Sequence, residues 1–138
     1  MTQPAPTDLY IYCGATFNGD VETWTWKIDD VAVNLTGYSA RLKVRADFAS
    51  ATTARLSLSS AGGGLVLGGS AGTIAPAMTD AETAALWTDH GASLSQDGVR
   101  QGRPAYLLGF WDLELVSGGG IVKRLLQGKC FLVPEATT

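Results

Sequence analysis

Hydrophobic and polar residues alternate along several stretches of this chain. In residues 41–45, Arg-Leu-Lys-Val-Arg, three cations alternate with two aliphatic side chains. The same spacing returns in residues 23–28, Thr-Trp-Thr-Trp-Lys-Ile, and in residues 55–59, Arg-Leu-Ser-Leu-Ser. A period of two is that of a β-strand with one buried face and one solvent-exposed face. Because glycine-rich turns separate these stretches, the pattern predicts an antiparallel sandwich of packed sheets.

The whole chain, followed in this way, predicts an all-β fold of about eight strands with one short helix. The longest predicted strand has Leu107 and Trp111 on one buried face. In the second predicted strand, Ile28 shares a face with Trp24 and Trp26. The extended segments are expected at residues 9–13, 21–28, 31–35, 38–45, 54–59, 65–67, 72–77, 106–116 and 121–132.

One helix start stands out between the strands. Thr79 can cap a helix, and Glu82 is the matching third helical residue of a capping box. Residues 82–87 then supply one or two helical turns. The polar, glycine-rich residues 88–105 predict a long loop insertion, and a loop of this length is either functional or ordered by a partner.

A chain of 138 residues suits one domain. Residues 1–7 contain Pro4 and Pro6 and predict a flexible N-terminal arm, while residues 8–138 form a single β-sandwich domain. An extended arm of this kind can add as a strand to the sheet of a neighbouring molecule.

The charge and hydropathy of the chain exclude some classes of partner. The net charge of −3 argues against nucleic-acid binding, which needs a basic face. No apolar run approaches the roughly 20 residues of a membrane helix, so no membrane partner is expected. The N-terminus lacks the basic and apolar regions of a secretory signal.

The residue types that carry chemistry do not form a recognisable set. His90 is the single histidine and cannot form a standard zinc site with Cys13 and Cys130. The glycine triplets lack the features of a phosphate-binding loop, and Asp112 and Glu114 are expected on a solvent-exposed strand face. We therefore expect no catalytic residue, metal or cofactor, and a protein that is not an enzyme.

The two cysteines lie near opposite ends of the chain, in apolar, strand-like surroundings. Buried free thiols are the ordinary interpretation of such positions. A disulfide between Cys13 and Cys130 stays open as an alternative.

Four residues are candidates for contacts between subunits. Trp87 comes just before the predicted loop, and a tryptophan in such a position can anchor an interface. The predicted loop itself carries the other three candidates, His90, Arg100 and Arg103.

Residues 34–41, Asn-Leu-Thr-Gly-Tyr-Ser-Ala-Arg, resemble the "DLTGYTAR" corner of small tailed-phage and prophage proteins. Segments resembling the later "TAAL", "YDLEL", "LLQG" and "PEVT" motifs of those proteins follow in the same order. They are Thr-Ala-Ala-Leu at residues 83–86, Trp-Asp-Leu-Glu-Leu at 111–115, Leu-Leu-Gln-Gly at 125–128 and Pro-Glu-Ala-Thr at 134–137. The chain is in this respect similar to the immunoglobulin-like N-terminal domain of phage baseplate upper proteins.

This resemblance implies an immunoglobulin-like β-sandwich and a structural role in a virion, in the tail tip, baseplate or fibre attachment. It implies other virion proteins as partners, and we expect a homo-oligomer within the particle. Residues 87–105 depart from the family, whose members pass from the "TAAL" turn to the next strand within a few residues.

Two other functions remain open from the sequence. The protein could be a capsid decoration protein or a neck-fibre anchor, which would place it elsewhere on the particle. It could also be a module that binds host glycans, for which tryptophan rings would have to lie exposed in a line.

Overall fold

The computed structural model describes residues 5–47 and 53–135. The chain is mostly β, with one α-helix, α1 (Asp80–His90), and short 3₁₀ turns at Gly69–Ala71 and Gly91–Ser93. Its strands are, in chain order, β1 (Ala5–Pro6), β2 (Leu9–Tyr12), β3 (Trp24–Thr25), β4 (Lys27–Ile28), β5 (Val31–Ala32), β6 (Ser39–Arg45), β7 (Leu56–Ser59), β8 (Leu65–Leu67), β9 (Thr73–Pro76), β10 (Gln96–Arg100), β11 (Arg103–Val116) and β12 (Val122–Val133).

The largest sheet is built around the long hairpin of β11 and β12. Its strand order is β1-β12-β11-β6-β7, with β2 also paired to β12 and β10 also paired to β11. The pairs β11–β12, β11–β6, β6–β7 and β10–β11 are antiparallel, as predicted. The N-terminal strands β1 and β2 differ, because both run parallel to β12.

A three-stranded antiparallel sheet, in the order β3-β9-β8, packs against the large sheet. The contact is direct at Trp24 and Trp111, whose ring centroids lie 5.5 Å apart. One buried hydrophobic cluster includes Ile74 and Leu65 from the small sheet and Leu113 from the large sheet. The hydrophobic effect at this shared core holds the two sheets together.

The alternation at residues 41–45 and 55–59 is confirmed by burial. Leu42 and Val44 of β6 are fully buried, while the alternating residues Arg41 and Lys43 are exposed. On β7 the leucines are likewise buried and the serines are more exposed. Pairing of Leu42 with Leu58 across the two strands places both apolar faces on the same side of the sheet.

The second predicted strand is broken in the structure. β3 and β4 are separated at Trp26, and β4 pairs with β5 across Asp29 and Asp30. Both aspartates have positive φ angles, 52° and 65°, which is the geometry of a type I′ hairpin turn. Ile28 at the tip of this hairpin is 54% exposed, so its expected place on the buried face was wrong.

The longest strand contains a bulge that the alternation did not reveal. Its register against β12 shifts between Leu107 and Gly109, and Leu108 is the extra residue. Leu108 is therefore fully buried, whereas Leu107, predicted on the same face as Trp111, packs in a separate cluster.

The prediction of a long loop at residues 88–105 is wrong. The helix continues to His90, and β10 and β11 then form a hairpin whose two-residue turn is Gln101 and Gly102. Both turn residues have positive φ angles, 53° and 80°, again as in a type I′ turn. The insertion is thus regular secondary structure.

The predicted N-terminal arm at residues 1–7 also needs correction. Residues 1–4 lie outside the described part, but Ala5 and Pro6 pair with β12. The Thr7 amide donates a hydrogen bond of 2.9 Å to the Gln127 carbonyl. The described end of the arm is therefore part of the sheet and is not a free tail.

Candidate interaction surface

The hairpin of β10 and β11 is the most exposed ordered feature of the described chain. Residues 95–104 are all solvent-exposed, including the whole of β10. Val99 is 63% exposed although it is a large aliphatic residue. We call residues 95–104 the hairpin surface.

The structure brings two of the predicted contact residues together. Arg100 and Arg103 face each other across the closing pair of the hairpin. The tight turn of Gln101 and Gly102 makes this possible, because it reverses the chain within two residues. Both arginines are exposed, so the tip of the hairpin surface presents two adjacent cations.

Contacts with the large sheet hold the hairpin surface in place. The Arg100 guanidinium lies 4.3 Å from the centre of the Tyr10 ring, a cation–π contact. The Tyr12 hydroxyl donates a hydrogen bond of 3.1 Å to Gln101 Oε1. Asp97 also pairs with Lys129 of β12 at 3.7 Å.

These contacts cover a second hydrophobic cluster, whose buried members are Ala105, Phe131 and Val133. Tyr10 stacks on Phe131 with the ring centroids 4.9 Å apart. The sequence interpretation missed the tyrosines of β2. The signal was available, since Leu-Tyr-Ile-Tyr at residues 9–12 alternates between two aliphatic and two aromatic residues.

Trp87 is joined to the base of the same hairpin. It is half-buried and meets Tyr106 edge to face, with the ring centroids 4.9 Å apart. Tyr106 pairs with Gln96 in the β10–β11 ladder. Gly91 provides the room, because a Cβ at that position would lie 2.6 Å from the Trp87 ring. Trp87 therefore supports the hairpin surface from the helix side.

His90 belongs to the helix end and not to the hairpin. Its side chain is half-buried, and its backbone carbonyl accepts a hydrogen bond of 2.9 Å from the Ser93 hydroxyl.

A charged groove of about 380 Å³ lies where β6, β11 and β12 run side by side. Glu114 accepts a 2.8 Å hydrogen bond from Arg41 Nε and lies 3.7 Å from Arg124. Arg124 also pairs with Asp112 at 3.3 Å. Arg41 and Arg124 are about half exposed, so these pairs stabilise the fold only slightly.

The pKa of Asp112 is shifted by its burial and by the charged side chains of this groove. Burial raises the pKa of its carboxyl, while Arg124 lowers it and Glu114 raises it again. The predicted solvent-exposed carboxylates are thus partly buried acceptors for arginines. Arg41 and Arg124 each lie directly opposite Glu114 on the two strands that flank β11.

Cys13 and Cys130 are free, buried thiols, as the ordinary interpretation predicted. Burial, and then the carboxylate of Glu135, raises the pKa of Cys13 to about 11. Burial, and then the neighbouring Cys13, raises the pKa of Cys130. Both thiols are therefore protonated and poorly nucleophilic at neutral pH.

Within residues 5–47 and 53–135, no group of three or more His, Cys, Asp or Glu side chains is arranged to hold a metal ion. In the same ranges, no helix is both long enough and apolar enough to cross a bilayer. No protein-family model matches the chain, and a comparison with curated proteins found no match.

Proposed function

We propose that this protein is a non-enzymatic structural component of a tailed-phage virion, in the tail tip, baseplate or fibre attachment, where it binds other virion proteins. The observation that carries the proposal is the hairpin surface. Ten successive residues, 95–104, are exposed and yet held in one conformation by Tyr10, Tyr12 and Lys129. A preorganised protrusion binds a partner with a smaller entropic cost than a mobile loop.

The proposal includes an immunoglobulin-like sandwich, for which the strand order is the support. In such domains one sheet contains the strands G, F, C and C′, and the other contains B, E and D. The order β12-β11-β6-β7 in the large sheet and β3-β9-β8 in the small sheet corresponds to this arrangement in chain order as well as in space. The sequence resemblance to the N-terminal domain of phage baseplate upper proteins leads to the same fold.

The adjacent Arg100 and Arg103 give the proposed partner a chemistry. Arginine is enriched at protein interfaces because its guanidinium forms both paired hydrogen bonds and stacking contacts. Two cations at the tip of a protrusion fit a neighbouring virion protein with a carboxylate-bearing pocket. Copies of the chain would then be arranged around the tail axis by cyclic symmetry.

The proposal is tested by following the chain into purified particles. Cells producing the phage would carry the wild-type gene, the double variant Arg100→Glu/Arg103→Glu, or the control Lys43→Glu, which reverses an exposed cation on β6. Quantitative mass spectrometry of gradient-purified particles then gives the copy number of each.

We expect a fixed copy number for the wild type and the control, and at least a tenfold loss for the double variant. Separating heads from tails distinguishes a tail component from a capsid decoration protein. Particles that are complete and infectious without the chain would contradict the proposal.

A further inference from the structure

The outer edge of residues 24–28 has backbone groups that no strand pairs within the described ranges. The Trp26 amide donates to the Gly72 carbonyl, and the Trp26 carbonyl accepts from the Val33 amide, both at 2.9 Å. In antiparallel ladders, successive residues point their backbone groups to opposite sides. Thr25 and Lys27 therefore point their amides and carbonyls away from β9 and β5.

The register of the neighbouring pairs supports this assignment. Thr25 lies opposite Thr73, and Lys27 lies opposite Ala32. Hydrogen-bonded and non-hydrogen-bonded pairs alternate along an antiparallel ladder. Trp26, which lies between Thr25 and Lys27, is hydrogen-bonded to both neighbouring segments. The pairs that contain Thr25 and Lys27 are therefore non-hydrogen-bonded pairs. Thr25 and Lys27, which are two positions apart, thus present the hydrogen-bond donors and acceptors of a free strand edge.

An apolar groove of about 490 Å³ runs along this free edge. Leu125 and Leu126 of β12 line its other side. These consecutive leucines both reach the groove because the register of β12 shifts between its pairs with Leu113 and Glu114. The remaining lining residues are Ala5, Trp24, Thr25, Trp26, Lys27 and Ile74.

The charges at the groove are positive. Lys27 is part of its lining and is exposed. The Lys123 ammonium lies 5.4 Å from the centre of the Trp26 ring, near the same place. An occupant with a carboxylate beside these two lysines would be electrostatically complementary to the groove.

We propose that this groove binds an extended peptide segment of a partner protein, which adds as a strand to the edge formed by Thr25 and Lys27. Apolar side chains at every second position of the segment contact Leu125, Leu126 and Trp26, and an acidic residue lies beside Lys27. The unpaired backbone groups favour a peptide over a sugar, because only a peptide supplies amides and carbonyls at matching intervals.

This inference deepens the proposed function, on which it rests for the identity of the partner. Its test uses the isolated chain and synthetic peptides, so that failure of the groove to bind leaves the particle experiment unaffected.

The probe is a blocked nine-residue peptide with valine or leucine at alternate positions, threonine between them and aspartate at one end. Two control peptides have N-methyl groups either on the amides of all apolar residues or on those of all threonines. A strand at a sheet edge uses every second amide, so one control is expected to bind like the parent and the other to lose at least tenfold in affinity. Calorimetry measures binding.

Two protein variants locate the binding site. Thr25→Pro removes an amide that faces the groove and takes part in no ladder bond, so the fold is expected to persist. Ser57→Pro is the matched control, since Ser57 occupies a non-hydrogen-bonded pair at the free edge of β7. We expect Thr25→Pro to weaken parent-peptide binding about tenfold and Ser57→Pro to leave it unchanged.

Amide hydrogen exchange provides a readout that does not depend on the variants. On adding the parent peptide, we expect slower exchange at Thr25 and Lys27. No saturable binding at millimolar peptide, equal binding of all three peptides, or unchanged exchange at these two amides would overturn the proposal. Binding of a glucose oligomer at Trp26 in place of the peptide would overturn it as well.

Discussion

At the scale of single residues, the contact between Thr7 and Trp111 attaches the N-terminal segment to the central strand β11. The indole N–H of Trp111, a fully buried side chain, donates a hydrogen bond of 2.9 Å to the Thr7 carbonyl. Leaving that N–H unpaired in the core would cost about 1–3 kcal/mol. The Thr7 backbone reaches this position by crossing closely over Gly128, where a Cβ would overlap the Thr7 carbonyl.

The substitution Gly128→Ala is expected to lower the free energy of unfolding by about 1–3 kcal/mol, because the added methyl group displaces the Thr7 segment. Urea unfolding measures the change. The control Gly119→Ala lies in the β11–β12 turn, where the nearest atom to a new Cβ is Ser117 Oγ at 3.9 Å. Equal unfolding midpoints for the two variants would contradict this explanation.

Gly128 also illustrates what the sequence could and could not predict. A glycine inside a strand pattern ordinarily indicates a bulge or a bend. The register is in fact continuous there, with Trp111 opposite Gly128 and Asp112 opposite Gln127. The cause is a backbone segment about 120 residues away in sequence, which no local pattern can reveal.

The buried thiol of Cys13 predicts a loss of stability at alkaline pH. Unfolded thiols lose their proton near pH 9, whereas folded Cys13 keeps its proton to about pH 11. The unfolded state therefore binds fewer protons between these values, and the free energy of unfolding falls as pH rises. From pH 7 to pH 10.5 this one thiol is expected to contribute a loss of about 2 kcal/mol.

The variant Cys13→Ala tests this directly in urea unfolding at the two pH values. It is expected to lose less stability than the wild type between them, by that same amount. An identical loss in both proteins would show that the Cys13 thiol does not cause the alkaline sensitivity.

At the scale of elements, the helix was predictable because its start is encoded locally. Glu82 donates its amide to Thr79 Oγ1 at 3.1 Å, and its carboxylate accepts from the Thr79 amide at 3.0 Å. This confirms the predicted capping box. The helix extends further than the sequence predicts, because residues 88–90 are helical and are not part of a loop.

The hairpin that follows was not predictable by the same rules. Type I′ turns favour asparagine or aspartate before glycine, and this turn has Gln101 before Gly102. In addition, Gln-Asp-Gly-Val-Arg of β10 shows no alternation, because every residue of the strand is exposed. The pattern that reveals a half-buried strand is absent from a strand with no buried face.

Removing the cap with Thr79→Ala is expected to cost about 1 kcal/mol of stability, since the Glu82 amide at the helix start loses its acceptor, Thr79 Oγ1. Thermal or urea unfolding gives the value. Thr88→Ala is the matched control, because Thr88 is exposed in the helix interior and bonds only the Ala84 carbonyl four residues earlier. Comparable losses for both substitutions would mean that the capping box contributes little.

At the scale of the whole molecule, the sequence predicted an all-β chain with one short helix, and the structure has these features. The faces of β6 and β7 followed from alternation alone. The parallel pairing of β1 and β2 with β12 could not be predicted in this way. Alternation indicates which residues of a strand are buried, but it does not indicate which other strand lies next to it. That pairing brings Tyr10 and Tyr12 beneath the hairpin surface.

The two surfaces that are proposed to bind partners have different chemistry. The hairpin surface presents Arg100 and Arg103 on a preformed protrusion. The apolar groove runs along the strand edge of Thr25 and Lys27, whose backbone groups point away from β9 and β5. In the proposed virion role, two surfaces of different chemistry would allow each copy to contact two different neighbours.

The most direct test of this account is an electron cryomicroscopy reconstruction of the phage particle at a resolution that distinguishes β-strands. We expect copies of the chain in a symmetric ring at the tail end, with residues 95–104 of each copy in contact with another virion protein. A complete tail, baseplate and fibre attachment with no density for the chain would contradict it.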